Sequence, residues 1–169
     1  MPLERAAAQR LSKRIGEDLR SLNRLDAALE KFRAGLSAAA WDSSDLWATA
    51  TVLHHLYNAI ENVFDQTART FGEQPATGER WHRDLLLLAA KEVPGARPAI
   101  VPASLLEPLA DLLGFRHVLR HSYSIDLDPQ RLSRLVESWQ AHRDEIRGFR
   151  GVLSFPRIRV PVSLTPFSE

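Results

Sequence analysis

Apolar residues recur at three- and four-residue steps along most of the chain. Leu11, Ile15, Leu22, Leu25, Leu29, Phe32 and Leu36 mark a stripe with Arg, Glu and Asp between them, which predicts one long helix over residues 3–36. The steps stay near a 3.5 repeat, the pattern of shallow left-handed crossings in up-and-down bundles. Asp42-Ser43-Ser44 offers an N-cap for the next helix and puts the first turn near Ser37 to Ser44. A second stripe, Leu46, Leu53, Leu56, Ile60, Val63 and Thr67, widened by Tyr57, Phe64 and Phe71, predicts a helix over residues 45–71. Two long helices joined by a short turn lie antiparallel.

Beyond them, Gly72 to Gly78, with Pro75, reads as a loop, and Glu79 to Val93 as a shorter helix. The four successive leucines Leu85 to Leu88 cannot share one face, so this helix is covered on most sides or meets another chain. Pro94, Gly95, Pro98 and Pro102 make a non-helical crossover, expected to be mobile. A third bundle helix starts at Pro102 or Ala103 and carries Leu105, Leu106, Leu109, Leu112, Leu113, Val118 and Leu119. Asp128-Pro129, an acidic cap followed by proline at the first helical position, opens a fourth through Leu132, Leu135, Val136, Trp139 and Ile146, ending at Gly148. The pattern then changes. Prolines 156, 161 and 166 and the alternation Arg157-Ile158-Arg159-Val160 predict an extended or disordered tail. The expected fold is an all-α antiparallel bundle of four main helices plus a shorter one over residues 1–148, with a tail over 149–169.

Composition adds exclusions. At 169 residues the chain fits one domain with a core of its own, and the absence of cysteine rules out disulfides, thiolate metal sites and cysteine nucleophiles. Met1 to Arg20 lacks the apolar centre of a signal peptide and no run reaches the roughly 20 apolar residues of a membrane span, so a cytoplasmic protein without membrane contact is expected. The net charge of +1 is no global nucleic-acid signature, and any such binding must be local. Of the 22 cations 19 are arginine, a bias that suits phosphate forks and that GC-rich codon usage produces equally well.

One segment concentrates chemistry. Residues 116–123 hold Arg116, His117, Arg120, His121 and Tyr123, and no carboxylate stands between Asp111 and Asp126 to neutralise them. A fixed positive fork beside a group that takes and gives protons near neutral pH is the minimum for cleaving RNA without a metal. On an ideal helix five residues turn about 500°, leaving Arg116 and His121 about 140° apart. Their convergence needs an unwound helix end at Ser122-Tyr123-Ser124, or two copies of the segment facing each other. On the second predicted helix His54, Tyr57, Asn58 and Glu61 share one side, either bordering a cleft or forming a hydrogen-bonded patch between helices.

Arg116, His121 and Tyr123 spell R-x4-H-x-Y, and the chain resembles HEPN-domain ribonuclease toxins of the HepT-like type. The likeness runs from about Trp47 to Val136. It takes in Leu56-Tyr57-Asn58-Ala59-Ile60-Glu61, then Gly78-Glu79-Arg80-Trp81-His82 with the leucines after it, then Phe115 to His121, then Asp126-Leu127-Asp128. It implies a HEPN-like bundle, a homodimer whose two motifs line one cleft, and metal-independent cleavage of RNA without a cofactor. Arg116 and His121 would be catalytic, with His117, Arg120, Asn58 and Glu61 as supporting or RNA-binding residues. It further implies a nucleotidyltransferase antitoxin of the MNT type that attaches AMP to Tyr123. Bulk and negative charge there would repel an RNA phosphate.

Other readings stand beside this one. Many family members carry asparagine after the motif arginine, where this chain has His117. His117 and His121, at i and i+4, could share a metal if His54, His55 or Glu61 supplied a further ligand. Tyr123 read alone would tie down the loop after the helix, Arg120 would decorate the surface, and His82 beside Trp81 would be structural. A non-catalytic HEPN helper that binds nucleotide or a nucleotidyltransferase, and a plain interaction bundle, use the same scaffold.

Overall fold

A computed structural model describes residues 2–34, 41–74, 78, 80–121 and 126–152. Among these residues five helices and a final single turn follow one another: α1 (Pro2–Ala34), α2 (Ser43–Thr70), α3 (Trp81–Ala89), α4 (Ala103–His121), α5 (Pro129–Arg147) and α6 (Phe149–Val152). No strand occurs among the described residues, and the expected all-α bundle is the fold.

The predicted caps form. Asp42 accepts from the Asp45 amide at 2.9 Å while the Asp45 carboxylate accepts from the Asp42 amide at 3.1 Å, a reciprocal box that satisfies donors the first turn would otherwise strand. At the head of α5, Asp128 accepts from the Gln130 amide at 2.9 Å with Pro129 behind it, and Gly148 closes the helix. Gln66 of α2 donates to Asp18 of α1, while Leu25, farther along α1, lies in one depression with His55 and Ala59, earlier on α2. Rising numbers on one helix meet falling numbers on the other, so the pair is antiparallel. Asn23 accepts from Arg147, while Glu30, farther along α1, accepts from Arg143 and Gln140, earlier on α5, which sets α5 antiparallel to α1.

Ile15, Leu22 and Leu29 of α1, Leu53, Leu56 and Ile60 of α2, Leu105 and Leu109 of α4, and Leu132 and Trp139 of α5 are buried in one core. Each such side chain contributes about 1.5–3 kcal/mol of transfer free energy. Asp26 is also buried there, accepting from the Trp139 indole at 2.7 Å and paired with Arg147, so its charge is compensated.

Three expectations change. The bundle does not stop at Gly148: Phe149 is 1% exposed and packs on Phe64 with ring centroids 5.9 Å apart, because one more helical turn reaches the core. The rest of the expected tail, 153–169, lies outside the described residues, as does most of the first turn. The leucine run sits on a helix shorter than predicted; Leu85 and Leu86 are buried and Leu87 is exposed. The crossover between α3 and α4, expected to be mobile, is clamped. Arg97, 3% exposed, donates through Nε and Nη2 to the Glu73 carboxylate at 2.7–2.8 Å, and to the carbonyls of Leu88, Lys91 and Pro98. Gly95 takes the tight turn at φ +75° that lets Val93 and Arg97 pair.

Removing that fork strands a carboxylate and three carbonyls. Arg97→Ala is expected to cost about 3 kcal/mol in urea unfolding, the scale of breaking a buried pair. A loss below about 1 kcal/mol, the range of surface pairs, would contradict the clamp.

Candidate active site

Arg116 projects from the last turns of α4 toward α2 and α3, and is only 7% exposed. A buried guanidinium stays charged, so it needs a counter-charge and acceptors close by. Asn58 and Glu61 of α2 supply them: Arg116 Nε donates to Asn58 Oδ1 at 2.6 Å, and Nη2 lies 3.4 Å from Glu61 Oε1. Since arginine has no acceptor, the amide oxygen of Asn58 must face it, and the amide nitrogen therefore donates onward to His54 Nε2 at 3.0 Å. A polar relay thus runs Arg116, Asn58, His54 along the inner side of α2. With Nε2 accepting from Asn58, the neutral His54 ring carries its proton on Nδ1, a buried atom with no hydrogen-bond partner among the described residues.

Glu61 also joins α3, its Oε2 lying 2.6 Å from His82 Nδ1. Arg116 Nη1 is 3.4 Å from Nδ1 and 3.3 Å from Nε2 of the same ring. A contact equally close to both nitrogens at this range lies over the ring face; an in-plane approach would collide with the carbon between them. Trp81 stacks on His82 with centroids 4.1 Å apart and planes tilted by 33°. Both cannot occupy one face, so indole, imidazole and guanidinium form a ladder. On its other side Arg116 borders an open groove of about 420 Å³ with Thr51, His54, Asn58, Leu119 and Arg120. That is room for a nucleotide-sized group.

Residues 48–153 match the family described as HepT-like protein. The chain belongs to that family. Comparison with curated proteins and with solved structures finds no match. Membership makes this HepT-like chain one of a HEPN type, whose functions are of the toxin and ribonuclease kind.

Of the residues expected at the site, Arg116, Asn58 and Glu61 are joined directly, and Arg120 stands on the groove's exposed rim. His117 is exposed on another side of α4. His121 closes α4, which stays helical through it, and the unwinding expected at Ser122-Tyr123-Ser124 lies outside the described residues. The His121 side chain and Tyr123 lie outside the described residues. Arg116 departs from expectation in one respect: its own segment offers no carboxylate, but Glu61 provides one, so it is a braced cation rather than a free one. Among the described residues no group of three or more His, Asp or Glu is placed to hold a metal. No described helix is long and apolar enough to cross a membrane.

His82 is the site residue the motif did not reveal. A signal was present: His82 stands three, four and seven residues before Leu85, Leu86 and Ala89, the buried face of α3, so its ring had to point inward and find a partner.

Burial holds the His54 imidazole below its ordinary pKa of 6.5, helped by the charges of Arg116, His55 and Arg120. A histidine depressed in the folded state contributes stability that is full above the unfolded pKa and is lost as pH falls through the folded value. In an NMR titration His54 should therefore protonate below the usual imidazole range, and Arg116→Ala should raise its midpoint. A midpoint unmoved by that substitution would remove Arg116 from the relay.

Proposed function

We propose that this chain is the toxin of a toxin–antitoxin pair, a metal-independent endoribonuclease that acts on RNA held in the groove between α2 and α4. The observation that carries the reading is the placement of Arg116: braced from behind by Asn58, Glu61 and His82, it borders an open groove whose rim carries Arg120. A guanidinium fixed before substrate arrives stabilises charge developing on a phosphate without reorganising. The RNA 2′-oxygen attacks phosphorus and the bond to the 5′-oxygen breaks, leaving a 2′,3′-cyclic phosphate and a 5′-hydroxyl. His121 accepts the 2′ proton or supplies one to the departing 5′-oxygen. One imidazole cannot do both at once. A homodimer that brings His121 of a second copy to the same groove completes the pair, which also resolves the divergence of Arg116 and His121 on one continuous helix. Arg120, on the groove's rim, takes a neighbouring phosphate.

Tyr123 is the silencing point. An MNT-type nucleotidyltransferase transfers AMP from ATP to its hydroxyl with release of pyrophosphate, setting bulk and negative charge two residues from His121.

A second reading has an observation of its own. The close engagement of Arg116 with Glu61 is what a non-catalytic helper would use to hold its bundle together. Purified protein incubated with RNA in EDTA separates the two. The nuclease reading expects cleavage to 2′,3′-cyclic phosphate ends, with Arg116→Ala and His121→Ala each slowing it by about 100-fold or more, the scale of losing a charge stabiliser or a general acid–base. No cleavage by the folded wild type would leave the helper.

Incubation with the nucleotidyltransferase and ATP should add the mass of one AMP, absent in Tyr123→Phe. An addition that survives that substitution would place the modification elsewhere.

A further inference from the structure

We propose that His82 is a positioning residue: stacked between Trp81 and Arg116 and tied to Glu61, it sets the orientation in which Arg116 meets the groove. The inference rests on the nuclease reading for its consequence, but its geometry stands apart from it. His82 does not line the groove, and acts through Arg116 alone.

Three contacts fix the ring. Glu61 Oε2 at 2.6 Å holds Nδ1, Trp81 covers one face at 4.1 Å between centroids, and the guanidinium nitrogen lies 3.3 Å from Nε2 on the other. Arg116 is held in turn from two directions, by Asn58 at Nε and by the ring face under Nη1. Without the ring, only the Asn58 bond at Nε and the 3.4 Å approach of Nη2 to Glu61 remain, and Nη1 loses its support. Glu61 serves twice, compensating Arg116 through one oxygen and orienting His82 through the other. A carboxylate that only neutralised Arg116 would turn both oxygens on the fork, the usual bidentate arrangement. Here one is diverted to the imidazole. Trp81 and His82 sit at the first turn of α3, so this short helix carries the backing of the site.

The consequence is kinetic. A misplacement of about 1 Å at a transition-state contact costs on the order of 100-fold in rate. His82→Ala should lower the cleavage rate constant by that order with KM little changed, because the RNA-binding rim is untouched.

Low-temperature NMR of the arginine side chains tests the geometry without requiring activity. In the wild type, Arg116 should give resolved Nη signals from restricted rotation about its guanidinium bond, identified by their loss in Arg116→Lys. His82→Ala should collapse them while the signals of Arg97 and Arg147 stay in place; His82→Phe, which keeps a ring face, should retain them. Arg116 signals unchanged in His82→Ala, or all three arginines shifting together, overturn the proposal. So does a His82→Ala protein that cleaves RNA at the wild-type rate. If His82→Ala does not fold, His82→Gln, which keeps a donor for Glu61 but loses the ring face, is read the same way. A wild type that cleaves no RNA, yet whose Arg116 signals depend on His82, leaves the positioning role standing and removes the nuclease reading.

Discussion

A guanidinium that is 7% exposed at the end of a helix has few ways to exist, and the site is organised by the way this one does. Taking a charge out of water costs several kcal/mol unless a partner charge and hydrogen-bond acceptors replace the water. Arg116 finds both on α2 and α3, with Glu61 as counter-charge, Asn58 as in-plane acceptor and His82 under its nitrogen. Arg116 and these partners together span three helices, so the cation can be in place only when the helices are. Conversely, breaking any one leaves a buried polar group unpaired, which makes the network a test of correct packing.

The rest of the bundle holds those three helices at fixed spacing. The α1–α2 pair and the α1–α5 pair form an antiparallel platform, with Asp26 accepting from Trp139 and paired with Arg147 between them. At the other side, Arg97 ties the α3–α4 crossover to Glu73 just after α2. Because α3 carries Trp81 and His82, and α4 carries Arg116, the Arg97 clamp sets the spacing across which the ladder forms. This connection and the core packing of Leu85, Leu86 and Ala89 together tie the stability of the bundle to the placement of the ladder.

Much of this architecture was legible in the residues. The stripes of α1, α2 and α5, and the caps at Asp42 and Asp128, follow from three- and four-residue steps and from side chains that satisfy stranded amides. Asn58 and Glu61 were visible as a polar row beside an apolar stripe. What could not be read was which partner each polar group chooses, since Glu61 and Arg116 are 55 positions apart and only folding brings them together. Arg97 shows the same limit. A proline- and glycine-rich crossover looks mobile from composition, and one inward arginine reverses that. Phe149 was hidden because helix signals end at Gly148, while the core still had room beside Phe64.

The central claim is that RNA lies in the groove between α2 and α4, against the braced face of Arg116. The most direct measurement is photocrosslinking of RNA carrying 4-thiouridine, with the joined peptides identified by mass spectrometry. The account expects crosslinks in the segments containing Thr51 to Asn58 and Arg116 to Arg120. Crosslinks confined to α1 and α5, with none in either segment, would contradict it.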